Sequence, residues 1–285
     1  LTHKKTNKVV SKLSGENIQI VEGDIKSREL LSSVLPNVDT VIHLAGVVGG
    51  GACAKDPARA VLDNVVGTHV ILKESLKANV KRFIFASTQA AYFTFKEHSL
   101  PLTENMKLEP DDLYGATKVA SEYEIQSSGI NYCVLRFANV YGYGVGILGS
   151  QSYGAIGKFV NAAYNGSGIT IHGSGQQSID YLNIKDLGSF FQKLLGNNSI
   201  KNDIFNVGSG KLHSVEQLAN TVASIAKELY DKETIIKKIP AEQETLLPVR
   251  LMSVGKAKEI LNWQPEVNLR EGMKELMENV EEVLK

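Results

Sequence analysis

Three stretches of the chain, VDTVIHLAG (38–46), VKRFIFAS (80–87) and INYCVLRFANV (130–140), are apolar almost without interruption rather than at every second position. A strand with one face in water has to alternate. Unbroken runs of strand length therefore belong to strands covered on both faces, the condition of a parallel sheet. Between them lie segments with helical period: 57–78, opened by Asp56 and Pro57 as N-cap and first-turn proline, and 112–128, opened by acidic residues. Strand and helix in alternation predict a right-handed βαβ series, hence an α/β fold with a doubly wound parallel sheet.

After Asn139 the texture changes to YGYGVGILGSQSYGAIG, too rich in glycine and tyrosine for a regular element, and the chain is expected to cross into a second region. There ITIHGSG (169–175) predicts a strand and turn, 186–195 a helix, and DIFNVGSG (203–210) a buried strand ending in glycines. Amphipathic helices are expected near 214–229, 256–261 and 269–284.

A length of 285 residues with 43% hydrophobic residues supports a sizeable core and excludes disorder and small disulfide scaffolds. Lys plus Arg equals Asp plus Glu at 31 each, so the whole-molecule field gives no reason to expect nucleic acid or an anionic membrane as partner. Cys53 and Cys133 lack the spacing of a metal or redox pair, and no apolar run approaches the roughly 18 residues of a membrane span. A cytoplasmic protein without a bound metal is the expectation. The chain opens at Leu1 in a lysine-rich stretch, which reads as the start of an interior segment.

The strongest chemical signal is Tyr114-Gly-Ala-Thr-Lys118 near the start of a helix. Residues four apart share a helical face, so the ammonium lies near the phenol and favours its ionised form. A phenol titrates near pH 10 unperturbed, and a neighbouring cation brings it toward the range of a general base. On its own the pattern also suits a solvated helix face. Its context is richer: VKRFIFAS delivers Ser87 and Thr88 to the carboxyl end of a buried strand, where ligands of open α/β sheets sit. His43-Leu44-Ala45-Gly46 ends another strand with small residues that admit a ligand to the backbone. Gly23-Asp24-Ile25, after a short strand, offers a carboxylate.

Taken in order, GDI, HLAG, DP followed by NVVGT, the serine-threonine strand end, YGATK, LRFANVYG and KAKEILNWQP resemble the extended short-chain dehydrogenases/reductases, in their nucleotide-sugar epimerase and dehydratase branch. The resemblance spans nearly the whole chain. It implies a Rossmann-type NAD-binding domain over 1–139 and 180–208, and a nucleotide-sugar-binding lobe over 140–179 and 209–285. Tyr114 is then the general base on a sugar hydroxyl. Lys118 holds the nicotinamide ribose and lowers the tyrosine pKa, and Thr88 bonds the reacting oxygen. Asp24 and Ile25 flank the adenine, Leu44, Ala45 and Gly46 the ribose and phosphates, and Ser87 and Phe137 the nicotinamide; Asn139 meets the substrate diphosphate. Ile25 and Phe137 suit a plain core as well, and Asp24 a turn. Relatives of this kind pair through the helices near 57–78 and 112–128, which implies a homodimer.

Departures from the family pattern narrow the chemistry. Dehydratases of the family carry Asp-Glu after the Thr88 position, whereas this chain has Gln89-Ala90, which disfavours elimination and leaves reversible hydride transfer. In the pattern G-x-G-x-Q-x-R-D the phosphate-binding arginine is replaced by Ile179; Arg250 either supplies that charge or is a surface arginine. No G-x-x-G-x-x-G precedes Asp24, and the glycines at 49–51 do not read as opening a helix at once. Either an opening βαβ unit of about 30 to 40 residues precedes Leu1, which is the expectation, or the protein does not hold NAD in the usual way. The leading expectation is an NAD-dependent epimerase of the UDP-glucose/UDP-galactose type. The same residues also suit a 4-ketosugar reductase, and a non-catalytic nucleotide-binding protein on the same scaffold is the rival from another class.

Overall fold

The computed structural model describes residues 17–92, 100–142, 154–240 and 249–280. By its internal contacts the chain forms two compact units. The first consists of Leu1–Ala91, Pro110–Leu135 and Lys201–Ile204. It contains helix α1 (Arg28–Val34), strand β1 (Thr40–His43), helices α2 (Gly50–Lys55) and α3 (Pro57–Val61), a π-helical turn (Leu62–Val66), helix α4 (Gly67–Lys77), strand β2 (Arg82–Thr88) and helix α5 (Leu113–Ser127). It also holds the leading residues of β3 (Tyr132–Phe137) and β7 (Asp203–Val207), which follow in the sheet order β1-β2-β3-β7. β1 and β2 pair in parallel, with Val41 opposite Phe83 and His43 opposite Phe85. β2 and β3 are covered along most of their length, as their unbroken apolar runs predict. β1 is not: Val41 and His43 are buried while Ile42 is exposed. The core beneath the sheet gathers Leu31, Leu72, Phe83, Phe85, Ile125 and Val134.

The helix starts follow the sequence. Asp56 caps α3 by accepting from the Arg59 backbone N–H at 3.0 Å, with Pro57 in the first turn. Asp112 caps α5 by accepting from the Gly115 N–H at 2.7 Å. One expectation fails: the glycines at 49–51 do open a helix. Gly49, at φ 88°, makes the turn into α2, and Gly50 lies so close to Asp112 that a Cβ there would be 2.3 Å from its carboxylate. Ahead of α1 the described residues show isolated bridge positions at Ile18 and Glu22 where a short strand is expected.

The second unit consists of Tyr92–Glu109, Arg136–Ile200 and Phe205–Lys285. Strand β4 (Asn139–Tyr141) pairs in parallel with β6 (Ser178–Asn183), and β8 (Leu212–Ser214) pairs antiparallel on the other edge of β6. β5 (Ile169–His172) pairs in parallel with β9 (Ile236–Ile239). Helices α6 (Gly154–Asn165), α7 (Ile184–Leu195), α8 (Val215–Tyr230), α9 (Gly255–Leu261) and α10 (Leu269–Glu278) complete the unit. Its core includes Phe159, Val160, Ile169, Leu218, Val222 and Met273. The tail motif KAKEILNWQP has a structural use: Trp263 stands edge-on to Phe190 at 5.1 Å and donates its indole N–H to Ser189 at 2.9 Å. Most of the glycine-rich stretch lies outside the described residues, but Gly154 onward is helical. Among the described residues no helix is long and apolar enough to cross a membrane.

Candidate active site

β2 ends at Thr88, and Gln89–Ala91 continue it as a tight 3-10 turn. α5 rests on that turn. A Cβ on Gly115 would lie 2.2 Å from the Ala90 carbonyl oxygen, so only glycine lets the first turn of the helix come this near. The contact sets Tyr114 beside Thr88, whose hydroxyl is near enough to act on the phenol. One helical turn on, Lys118 is buried, donates from Nζ to the Ala86 carbonyl at 3.0 Å, and lies 4.8 Å above the Phe85 ring. Thr88, Tyr114 and Lys118, the three residues singled out in sequence, thus converge at the carboxyl end of one buried strand.

The electrostatics of this trio differ from expectation. Burial pushes the Tyr114 phenol up to about 12, the neighbouring Thr88 hydroxyl offsets only part of that, and nearby Cys53 and Asp112 push it further up. Burial also brings Lys118 down to about 8, against the opposing pull of Cys53 and Glu122. The Lys118 ammonium is committed to the β2 backbone, and the lowering of the tyrosine pKa expected from helical spacing is not seen in this state. Tyr114 is therefore a protonated phenol at neutral pH, poised to donate, and must be ionised before it can accept.

The end of β1 is fastened to the same helix. Asn64, buried in the π-helical turn, takes the Val47 N–H at 2.7 Å and donates to the Val47 carbonyl and to Thr117, each at 3.0 Å. A Cβ on Gly46 would be 2.7 Å from the Asn64 amide oxygen and 3.6 Å from Lys118 Nζ, so the strap 44–47 passes close beside the lysine. Leu44 and Gly46 are exposed and Ala45 is half-buried. Sequence reasoning missed Asn64 as a positioning residue. Its signal is an amide inside the otherwise apolar NVV run of a helix, where no solvent satisfies it.

The remaining candidates are spread over both units. Asp24 accepts from the Lys26 N–H at 2.8 Å and from its ammonium at 3.2 Å. Ile25 packs where a Cβ on Gly67 would be 2.7 Å from its Cδ1. The Ser87 hydroxyl is given to buried Glu122. Phe137, Asn139 and Arg250 belong to the second unit. Phe137 stands edge-on to Phe191 at 6.4 Å, and Asn139 opens β4 opposite Tyr181. Arg250 forms a backbone bridge with Ile179, the position at which the family pattern has its arginine. Glu104 accepts from the Asn206 N–H at 2.9 Å.

Residues 1–208 match the NAD dependent epimerase/dehydratase family. The chain belongs to this family. It is 30% identical over 268 residues to a putative UDP-glucose 4-epimerase of Methanocaldococcus jannaschii, across 91% of this chain and 83% of that protein. A UDP-glucuronate 4-epimerase of Thermodesulfobacterium geofontis is 28% identical over 93% of this chain and 81% of its own length. Among solved structures, the UDP-glucose 4-epimerase of Thermotoga maritima with UDP-glucose superposes with a TM-score of 0.84 at 29% identity, covering 95% of this chain and 87% of that one. The likeness extends to the Rossmann-type α/β architecture with its parallel sheet.

Proposed function

We propose that the protein is an NAD-dependent epimerase of a nucleotide sugar of the UDP-glucose/UDP-galactose type, acting through a 4-keto sugar. The observation that carries this reading is the convergence of Thr88, Tyr114 and, one helical turn on, buried Lys118 at the end of one strand. A module that only binds nucleotides has no need of a phenol poised for proton transfer. The similarity to UDP-sugar 4-epimerases supports the same reading.

The residues present fit the nicotinamide-ribose end of NAD. Gly46 leaves room beside the Lys118 ammonium, and exposed Leu44 and Val48 offer apolar cover at the strand end. NAD, when bound, supplies reversible oxidation at a sugar carbon. The chain does the proton work: Thr88 donates to the sugar oxygen and orients it, Tyr114 takes the proton at its phenol oxygen once that oxygen is ionised and later returns it, and Lys118 holds a ribose hydroxyl. Asp24, Ile25, Leu44–Gly46, Ser87 and Phe137 are proposed to line the cofactor, with 1–139 and 180–208 as its domain. Asn139 and Arg250 are proposed to meet the substrate, within a lobe of 140–179 and 209–285. The Ile179–Arg250 bridge supports Arg250, because it returns a guanidinium to the register at which the family arginine is lacking.

The deciding experiment incubates the protein and its Tyr114→Phe variant with NAD and UDP-galactose. The wild type is expected to form UDP-glucose without net NADH, and the variant to turn over about 10²- to 10⁴-fold more slowly with unchanged stability. Near-normal turnover in the variant removes Tyr114 from the mechanism. Net consumption of NADH with a 4-ketosugar points to the reductase instead. A 4-keto-6-deoxy product from UDP- or dTDP-glucose would overturn the assignment. Gln89-Ala90 cannot exchange protons for that elimination, and the Glu104 carboxylate is already bonded to a backbone N–H.

A further inference from the structure

Gln89 follows Thr88 directly, at the start of the 3-10 turn on which α5 rests. Its side chain is turned inward, with only 8% of the residue exposed, and its amide oxygen is closed to water. That oxygen has no hydrogen-bond partner among the described residues. A buried acceptor left in this condition destabilises the fold, and an apolar side chain of the same length would avoid that cost. It lies beside the proton-transfer trio: Thr88 precedes it, Thr88 Oγ1 accepts from the Ala90 N–H at 3.1 Å, and the Ala90 carbonyl lies against the turn that holds Tyr114.

We infer that Gln89 is a specificity residue whose amide oxygen accepts a hydrogen bond from a substrate hydroxyl next to the reacting one. The inference rests on the epimerase reading and deepens it. A sugar whose reacting hydroxyl is held by Thr88 and Tyr114 carries its adjacent substituents to the next residue of the turn. An acceptor at that place selects a sugar that keeps a hydrogen-bond donor there and rejects one that has lost it, since the oxygen is then left unsatisfied. On a hexose with its reacting oxygen at C4, the donor is the hydroxyl at C3 or the one at C6.

The test couples protein and substrate. Gln89→Met keeps the length and removes the acceptor. Both enzymes, loaded with NAD, are assayed with UDP-galactose, UDP-3-deoxygalactose and UDP-6-deoxygalactose, and the melting temperature of each free protein is recorded. With the wild type, one of the two deoxy sugars is expected to lower kcat/KM by about 10- to 100-fold. Gln89→Met is expected to lose a similar factor on UDP-galactose and nothing further on that same deoxy sugar, while melting no lower than the wild type. The responsive analogue identifies the hydroxyl. Equal proportional losses in both enzymes, or wild-type activity in Gln89→Met, overturn the inference, and so does a variant that melts lower and loses all three substrates alike. A wild type that converts neither UDP-galactose nor UDP-glucose overturns the epimerase reading, and this inference with it.

Discussion

His43 lies buried in the strand that leads into Leu44–Gly46, and its hydrogen bonding fixes its form. The Thr68 hydroxyl gives its proton to the Asn64 carbonyl at 2.5 Å, so it can only accept from His43 Nε2 at 2.9 Å. His43 is therefore the neutral Nε2–H tautomer. Burial, helped by the Lys118 charge, brings its pKa down to about 3. An unfolded chain takes up this proton near pH 6.5 while the folded one resists until about 3, so the unfolded state binds more protons in between. Stability that is intact above pH 6.5 is accordingly lost as the pH falls through that window, by up to about 1.4 kcal/mol per pH unit from this residue. Gln offers an amide N–H where His offers Nε2–H but has no proton to gain. Denaturant unfolding between pH 7 and 4.5 is expected to show a shallower loss for His43→Gln than for the wild type. Parallel curves would mean that His43 titrates normally.

The docking of α5 on the 3-10 turn is decided by one missing methyl group. Alanine in a helix is ordinarily better than glycine by about 1 kcal/mol. At Gly115 a Cβ would be 2.2 Å from the Ala90 carbonyl and 2.9 Å from Pro110, and such overpacking costs about 1–3 kcal/mol. Gly115→Ala is thus expected to lower stability, and to lower activity further by lifting Tyr114 off Thr88. Gly188 in α7, with nothing within 4 Å of its Cβ position, is the control: Gly188→Ala is expected to raise stability by up to about 1 kcal/mol. Thermal melts of the two variants check both signs. The start of α5 was legible because Asp112 caps it, and Thr88 because an unbroken apolar run ends there. The π-helical turn was not legible. Within it the Asn64 carbonyl accepts from Thr68, four residues on, and also from Ser121, 57 residues away and beyond the reach of any local pattern. α2 was missed because its glycines are selected by the approach of Asp112, a contact that no local pattern records. The phenol pKa was misread because spacing gives the lysine's position on the helix but not its burial or its bond to Ala86.

At the scale of the whole molecule, the outward face of the helices behind the site bears on assembly. Val61, Leu62 and Val66 are 41%, 52% and 40% exposed along α3 and the π-helical turn, and Tyr123 on α5 is 62% exposed. These helices pack on each other, with His69 on α4 bonded to Glu124 on α5 at 2.5 Å, so the exposed side chains lie on neighbouring elements. Single exposed apolar residues are ordinary, whereas several on adjoining helices suit a contact that excludes water. The face can be self-complementary in a twofold dimer, where each helix pair meets its own copy. We therefore expect a homodimer in solution, with Leu62 and Tyr123 in the contact. The π-helical turn lies in this face and also holds Asn64, so pairing would stiffen the segment that clamps Val47 and Thr117. Leu62→Glu with Tyr123→Glu places like charges across the axis and is expected to yield a monomer with reduced activity and an unchanged Tyr114–Lys118 arrangement. Light scattering at micromolar concentration reads the outcome: a wild type already monomeric, or a dimer that survives both charges, would remove these helices from the assembly.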